Sequence, residues 1–127
     1  MGYHPEQPDA AAGLIDRLME SSDERYFGLV PDVGHITAVG LDALEIYKKY
    51  RSRMITTHLR DYDPNLEYER NGQRVKGRFV PLGEGVINLR ALIGFLRQTK
   101  FAGQVMAEGG GLEASHDYMV HKLSLRL

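Results

Sequence analysis

The sequence contains no cysteine and no tryptophan among its 127 residues, and its formal net charge at pH 7 is only -1. Without cysteine, neither a disulfide framework nor a thiolate metal site can form, so any metal ligands must come from His, Asp and Glu. No run of lysines or arginines stands out, which argues against nucleic acid as a partner because that binding depends on concentrated positive charge. These absences favour a globular protein whose polar chemistry rests on carboxylate and imidazole groups.

A long hydrophobic run is also absent. No stretch approaches the roughly 18 consecutive apolar residues of a membrane span, and the N-terminus has no basic region followed by an apolar one. We therefore expect a cytoplasmic protein that does not contact a membrane. Hydrophobic residues still make up 43% of the chain and charged residues 26%, which is enough for a core and a solvated surface.

Helix-like and strand-like segments alternate along the chain. The apolar residues Leu89, Leu92, Ile93 and Leu96 recur at helical spacing, and Asn88 precedes them in a capping position. Similar patterns predict helices over residues 10–20, 41–50 and 114–125, and apolar runs predict strands over residues 26–30, 54–58 and 103–107. Residues 66–81 are charged and punctuated by glycine, and we expect a long loop there that is functional or disordered. The alternation predicts an α/β fold with parallel strands and right-handed crossovers.

Three residues that can bind metal lie at the ends of the three predicted strands. Asp32 follows the first strand, His58 ends the second and Glu108 follows the third. Each alone has an ordinary structural explanation, such as a helix cap for Asp32. Because the carboxyl ends of parallel strands meet at one edge, we expect the three side chains to converge there. Such a mixed set suits manganese, magnesium, cobalt or zinc, and the sequence does not choose between these metals.

Four short segments resemble, in order and spacing, the last motifs of the xylose isomerase-like barrel superfamily. They are DVGH at 32–35, THLRD at 57–61, PLGEG at 81–85 and VMAE at 105–108. Within that superfamily the chain looks most like sugar isomerases and epimerases and inosose (keto-inositol) dehydratases. The resemblance implies a parallel (β/α) TIM barrel of which residues 1–127 supply the C-terminal half, about three to four β/α units.

The resemblance also implies roles for individual residues. Asp32, His58 and Glu108 are expected to bind the metal, and Glu108 is also expected to act as acid or base. His35, three residues after Asp32, is expected to contact substrate. Arg60 is a candidate for orienting substrate oxygens through its planar guanidinium, or alternatively forms a surface salt bridge with one of the aspartates that follow it.

A fourth ligand is expected from the start of the chain. Residues 3–6 read YHPE, which is similar to a family stretch that often reads YHPH. Either His4 or Glu6 completes the coordination, and we predict Glu6, which would then be both a metal ligand and a second catalytic carboxylate. Glu84, in the turn GEG, is expected to have a structural role.

The resemblance implies a reaction in which a proton is removed from the carbon beside a carbonyl of a small sugar or polyol. The enediolate that forms is stabilised by a divalent ion. Return of the proton to the neighbouring carbon gives isomerisation, and return to the opposite face gives epimerisation. Loss of a β-hydroxyl from the same intermediate gives dehydration. We predict an isomerase or epimerase, with an inosose dehydratase-like lyase as the alternative. A metal-dependent endonuclease, another activity of the superfamily, would need further ligands and a basic groove.

The length of the chain favours a second alternative, from a different class of protein. A full barrel of this type needs roughly 250 residues, so half of one leaves strand edges and apolar surface unpaired. The chain would then be a catalytically incomplete half-barrel that binds ligand or a partner chain. We accordingly expect either a homo-oligomer or pairing with a missing N-terminal half.

Overall fold

A computed structural model describes residues 8–125 of the chain. His4 and Glu6, the candidates for a fourth ligand, lie outside the described residues. The helices are α1 (Pro8–Ser21), α2 (Val33–Ala38), α3 (Ala43–Tyr50), α4 (Leu89–Gln98) and α5 (Leu112–Asp117). The strands are β1 (Thr56–Leu59), β2 (Asp61–Arg70), β3 (Gln73–Val80) and β4 (Gln104–Ala107), with a 3-10 turn at Arg51–Arg53 and a π-helical turn at Tyr118–Lys122. None of the helices in this described part is long and apolar enough to cross a membrane.

β1 lies at the centre of the parallel part of the fold. On one side it pairs in parallel with β4, in a register that sets His58 opposite Met106. On its other side, isolated parallel bridges join the β1 region to the preceding chain, including one between Asp32 and His58. The predicted parallel order of the strands is therefore confirmed. The predicted strand over residues 26–30 is reduced to one bridge, between Leu29 and Met54, and Tyr26 at its start lies in a turn and is 83% exposed.

Helices α3 and α4 pack against β1 to form the main core. α4 carries the predicted apolar stripe, whose members are at most 4% exposed: Leu89, Leu92, Ile93 and Leu96. Asn88 caps this helix by accepting a hydrogen bond from the Ala91 amide at 3.0 Å, as its place before the stripe predicts. The same core contains Tyr47 of α3 and Leu59 of β1, both fully buried. The position of β1 is therefore fixed by the face that it buries under these helices.

The prediction of a loop over residues 66–81 is wrong, because most of that segment belongs to a β-hairpin. β2 and β3 pair antiparallel, with an irregularity in register between Asp63 and Glu67. The tip is formed by Asn71 and Gly72, which both have positive φ, 52° and 75°. Asn-Gly is the pair that favours such a two-residue turn. Val75 and Phe79 alternate with charged residues, as strand prediction requires, but the high charge of the whole segment is typical of a loop.

Within residues 8–125 the parallel strands do not close into a barrel, in agreement with the predicted half-barrel. Apolar side chains beside the open strands are left exposed: Val30, Ile55, Val105 and Met106. Unpaired strand edges and apolar surface of this kind are what a closed barrel covers with its remaining strands.

A buried chain of hydrogen bonds ties the loop before α2 to the centre of the sheet. The Thr57 hydroxyl donates to the Pro31 carbonyl at 2.9 Å, so the Tyr47 hydroxyl must donate to Thr57 across their 2.5 Å contact. Burial raises the pKa of Tyr47 to about 12, so this donor keeps its proton at neutral pH. Since Pro31 precedes Asp32, the chain of bonds fixes the backbone from which that carboxylate projects.

Candidate metal centre

The structure brings Asp32, His58 and Glu108 together at the carboxyl ends of the parallel strands. Each side chain offers one ligand atom, and these atoms lie within 4.8 Å of one another. The backbone accounts for the meeting: Asp32 bridges to His58, and the Glu108 amide donates to the Leu59 carbonyl at 2.9 Å, which extends the pairing of β4 with β1. The predicted convergence is observed, whereas the role of these residues as ligands stays a prediction.

Asp32 divides its two carboxylate oxygens between the fold and the cluster. Oδ1 accepts a hydrogen bond from the His35 amide at 3.0 Å and so caps α2. Oδ2 faces the cluster, 3.4 Å from Nε of Arg60 and 4.0 Å from Nε2 of His35. The same Asp32 side chain therefore caps α2 with one oxygen and presents the other oxygen to the cluster.

Glu108 is paired through both of its carboxylate oxygens. Oε2 is 2.7 Å from Nδ1 of His58, and Oε1 is 2.6 Å from Nη2 of Arg60. The hydrogen bond with Arg60, followed by that with His58, holds the pKa of the Glu108 carboxyl below its ordinary value. The group is therefore ionised at neutral pH, which is the form that binds a metal ion.

The three side chains fit a divalent ion in chemistry and in spacing. Metal-to-ligand bonds of about 2.1 Å place neighbouring ligand atoms about 3 to 4 Å apart, so small side-chain movements would bring the three atoms to bonding positions. Two carboxylates and one imidazole suit Mn²⁺, Mg²⁺, Co²⁺ or Zn²⁺. A set of three protein ligands also leaves coordination positions open for a substrate. His58 would exchange its contact with Glu108 for a bond to the ion.

Arg60 and His35, the predicted substrate contacts, flank the cluster. Arg60 pairs with Glu108 and Asp32, rather than with the aspartates that follow it in the chain. Its guanidinium lies over the ring of Phe79, 4.7 Å from the centroid, and His35 meets the same ring edge-on at 4.8 Å. Phe79 belongs to β3, so the base of the hairpin forms one wall of the site. Phe79 was not predicted as a site residue, because its segment has the composition of a loop.

Asp61 organises the turn beside the site, and this role was not predicted either. Its carboxylate is fully buried and accepts hydrogen bonds from four backbone amides at 2.9 to 3.1 Å. The donors are Tyr62, Gly83, Gly85 and Ile87. The turn that contains Glu84 is therefore wrapped around one buried anion, while the Glu84 side chain is exposed. The sequence feature that pointed to Asp61 was its position three residues after His58, in the THLRD segment.

The fold and the cluster together define a parallel α/β half-barrel with a candidate metal centre at its strand ends. The sequence matches the family described as xylose isomerase-like TIM barrel over residues 1–121. The chain belongs to this family, which confirms the resemblance that its motifs carry.

Similar proteins in several bacteria are named inosose dehydratase. The relative from Clostridium perfringens is 32% identical over an alignment of 101 positions, which covers 74% of this chain and 34% of that protein. The relative from Geobacillus kaustophilus is 30% identical over an alignment of 130 positions, gaps included, which covers 96% of this chain and 42% of that protein. A relative from Lacticaseibacillus casei is 26% identical over 101 residues. The chain thus spans between 34% and 42% of the length of these relatives.

We expect Asp61→Asn to lower the free energy of unfolding by about 3 kcal/mol or more. The substitution replaces one acceptor oxygen by an NH₂ group, which cannot accept the hydrogen bonds of the two backbone amides that this oxygen now binds. Urea unfolding measures the loss, and amide hydrogen exchange should locate it at Gly83 and Gly85. Asp63→Asn is the control, since Asp63 bonds only the exposed Asn65 amide. Equal stability of the two variants would contradict the anchoring role of Asp61.

Proposed function

We propose that this chain carries the metal-binding half of a lyase that removes water from a keto-polyol of the inosose type. The supporting observation is the meeting of two carboxylates and one imidazole, from Asp32, Glu108 and His58, in a chain of the xylose isomerase-like barrel family. The names of the similar proteins favour dehydration as the reaction. Isomerisation and epimerisation, which the motifs also predict, begin with the same proton removal and are the alternatives.

Asp32, His58 and Glu108 would hold the divalent ion, with Glu6 as the proposed fourth ligand. A bound ion would polarise the carbonyl and the neighbouring hydroxyl of the substrate and so acidify the C–H of the carbon that carries this hydroxyl. The carboxylate oxygens suit Mn²⁺ or Mg²⁺, and the imidazole also admits Co²⁺ or Zn²⁺.

Glu108 is the proposed base. Its two oxygens point to different partners, Arg60 and His58, so one oxygen can stay at the ion while the other approaches the substrate proton. As an ionised carboxylate, Glu108 can accept that proton. Glu108 then passes the proton, directly or by way of Glu6 as the second carboxyl, to the β-hydroxyl, whose C–O bond breaks as water leaves.

His35 and Arg60 are the proposed substrate contacts. His35 has 45% of its side chain exposed beside the cluster, and Arg60, although only 16% exposed, contacts both carboxylates. An imidazole can bond one hydroxyl, whereas a guanidinium can bind two neighbouring oxygens at once. Two such groups beside the ion would orient a polyol with one carbonyl and several hydroxyls.

A complete site requires protein beyond the described half-barrel. The exposed apolar side chains beside the open strands indicate a surface that another protein segment covers. We propose that this segment is another half-barrel, either an N-terminal half or a second copy of this chain. Without it, the chain is a half-barrel that binds its ligand and does not turn it over, which is the second candidate function.

Calorimetric titration with Mn²⁺ tests the metal centre. The chain should bind one ion, and Glu108→Gln should weaken the affinity by more than about tenfold, because even the loss of an outer-sphere partner costs that much. Glu113→Gln is the matched control, since it makes the same change at an exposed glutamate in α5. Equal affinity of the two variants would remove Glu108 from the site.

Incubation of the Mn²⁺-loaded chain with inosose in D₂O tests the reaction. Deuterium should enter next to the carbonyl, because that proton is removed first, and mass spectrometry should detect a product that has lost one water. Deuterium incorporation without loss of water would favour isomerisation or epimerisation. Metal binding without any exchange would reject turnover by this chain and favour the half-barrel that only binds.

A further inference from the structure

Arg60 is held inside the proposed metal cluster from several sides. Its Nη2 is 2.6 Å from Oε1 of Glu108, and its Nε is 3.4 Å from Oδ2 of Asp32. Its guanidinium lies over the Phe79 ring, 4.7 Å from the centroid. A Cβ at Gly34 would come within 2.9 Å of Cβ and Cγ of Arg60, so the arginine stem packs directly on the DVGH segment. Glycine at this position is what allows the close approach.

The two carboxylates that would bind a metal are therefore already paired with one cation of the protein itself. The charge of Arg60 stabilises the ionised form of Glu108 and lies against Asp32 as well. Its Nε is nevertheless buried and has no hydrogen-bond partner among residues 8–125, because the contact with Asp32 lacks the geometry of a hydrogen bond. The guanidinium is thus held to Asp32 by charge alone, and a contact of that kind can be exchanged for another cation.

We propose that Arg60 is an internal counter-cation that competes with the divalent metal for Glu108 and Asp32. This inference rests on the proposed function, because it takes the three-residue cluster as the metal site. The ion and the guanidinium draw on the same two carboxylates, and their like charges repel at this separation. Metal binding therefore displaces the head of Arg60 from the carboxylates and from its place over the Phe79 ring.

Titration of Arg60→Met with Mn²⁺ tests the competition, since methionine keeps much of the apolar stem and removes the charge. We expect the affinity to rise about tenfold, because a positive charge within a few ångströms of the ion is lost. Arg78→Met is the matched control, because Arg78 is exposed on the same strand as Phe79 and lies over Tyr68, away from the cluster. Its loss should change the affinity by less than about twofold, since solvent and salt screen a distant exposed charge.

Phe79→Leu provides a second readout. Without the ring the guanidinium loses one of its supports and competes less, so Mn²⁺ affinity should rise, though by less than in Arg60→Met. In the Arg60→Met background the same change should have no effect, because no competing cation is left. An equal shift in both backgrounds would show a purely structural role for Phe79 and would overturn its part in the competition.

The outcomes separate this inference from the proposed function. Unchanged or weaker Mn²⁺ binding by Arg60→Met, with wild-type binding intact, would overturn the competition and leave the metal site standing. Absence of Mn²⁺ binding in the wild type and in every Arg60 variant would reject the proposed function and this inference with it. If circular dichroism shows that Arg60→Met does not fold, Arg60→Gln removes the same charge with a polar side chain and is measured in its place.

Discussion

The parallel register of β1 with its two neighbours is the constraint on which the candidate site depends. It sets Asp32 beside His58 on one side and carries Glu108 to the end of β4 on the other. Because side chains alternate along a strand, a slip of one residue would turn His58 to the opposite face and separate the three groups. The buried hydrogen bonds of Thr57 oppose such a slip, since they tie the centre of β1 to α3 and to the loop before α2.

The surroundings of the carboxylates distinguish those that hold the fold from those that can react. Asp61 is fully buried, and four backbone amides use its oxygens, so it has no capacity left for a metal or a substrate. Asp32 keeps one oxygen for its helix cap and turns the other to the cluster. Both oxygens of Glu108 face side chains, His58 and Arg60, and no backbone amide is bonded to them within residues 8–125. A cation can replace such side-chain partners without unfolding the backbone.

The order of the strands, the apolar face of α4 and the meeting of Asp32, His58 and Glu108 could be predicted, because each follows from local pattern and from the geometry of parallel sheets. The hairpin was not predicted, because its segment has the charge and glycine content of a loop; the signals it did carry were the Asn71-Gly72 pair and the alternation of Val75 and Phe79 with charged residues. The contacts of Arg60 could not be predicted either, because they depend on where the base of that hairpin places Phe79. The partners of Asp61 are mostly more than twenty residues away, in a turn whose position only the folded chain determines.

Anomalous X-ray diffraction from crystals of the chain soaked in Mn²⁺ is the most direct test of a shared metal site. We predict one strong anomalous peak at about 2.0 to 2.3 Å from an oxygen of Asp32, an oxygen of Glu108 and a nitrogen of His58, with the guanidinium of Arg60 moved off the carboxylates. A peak elsewhere on the protein, or one bonded to fewer than all three of these side chains, would contradict the shared site.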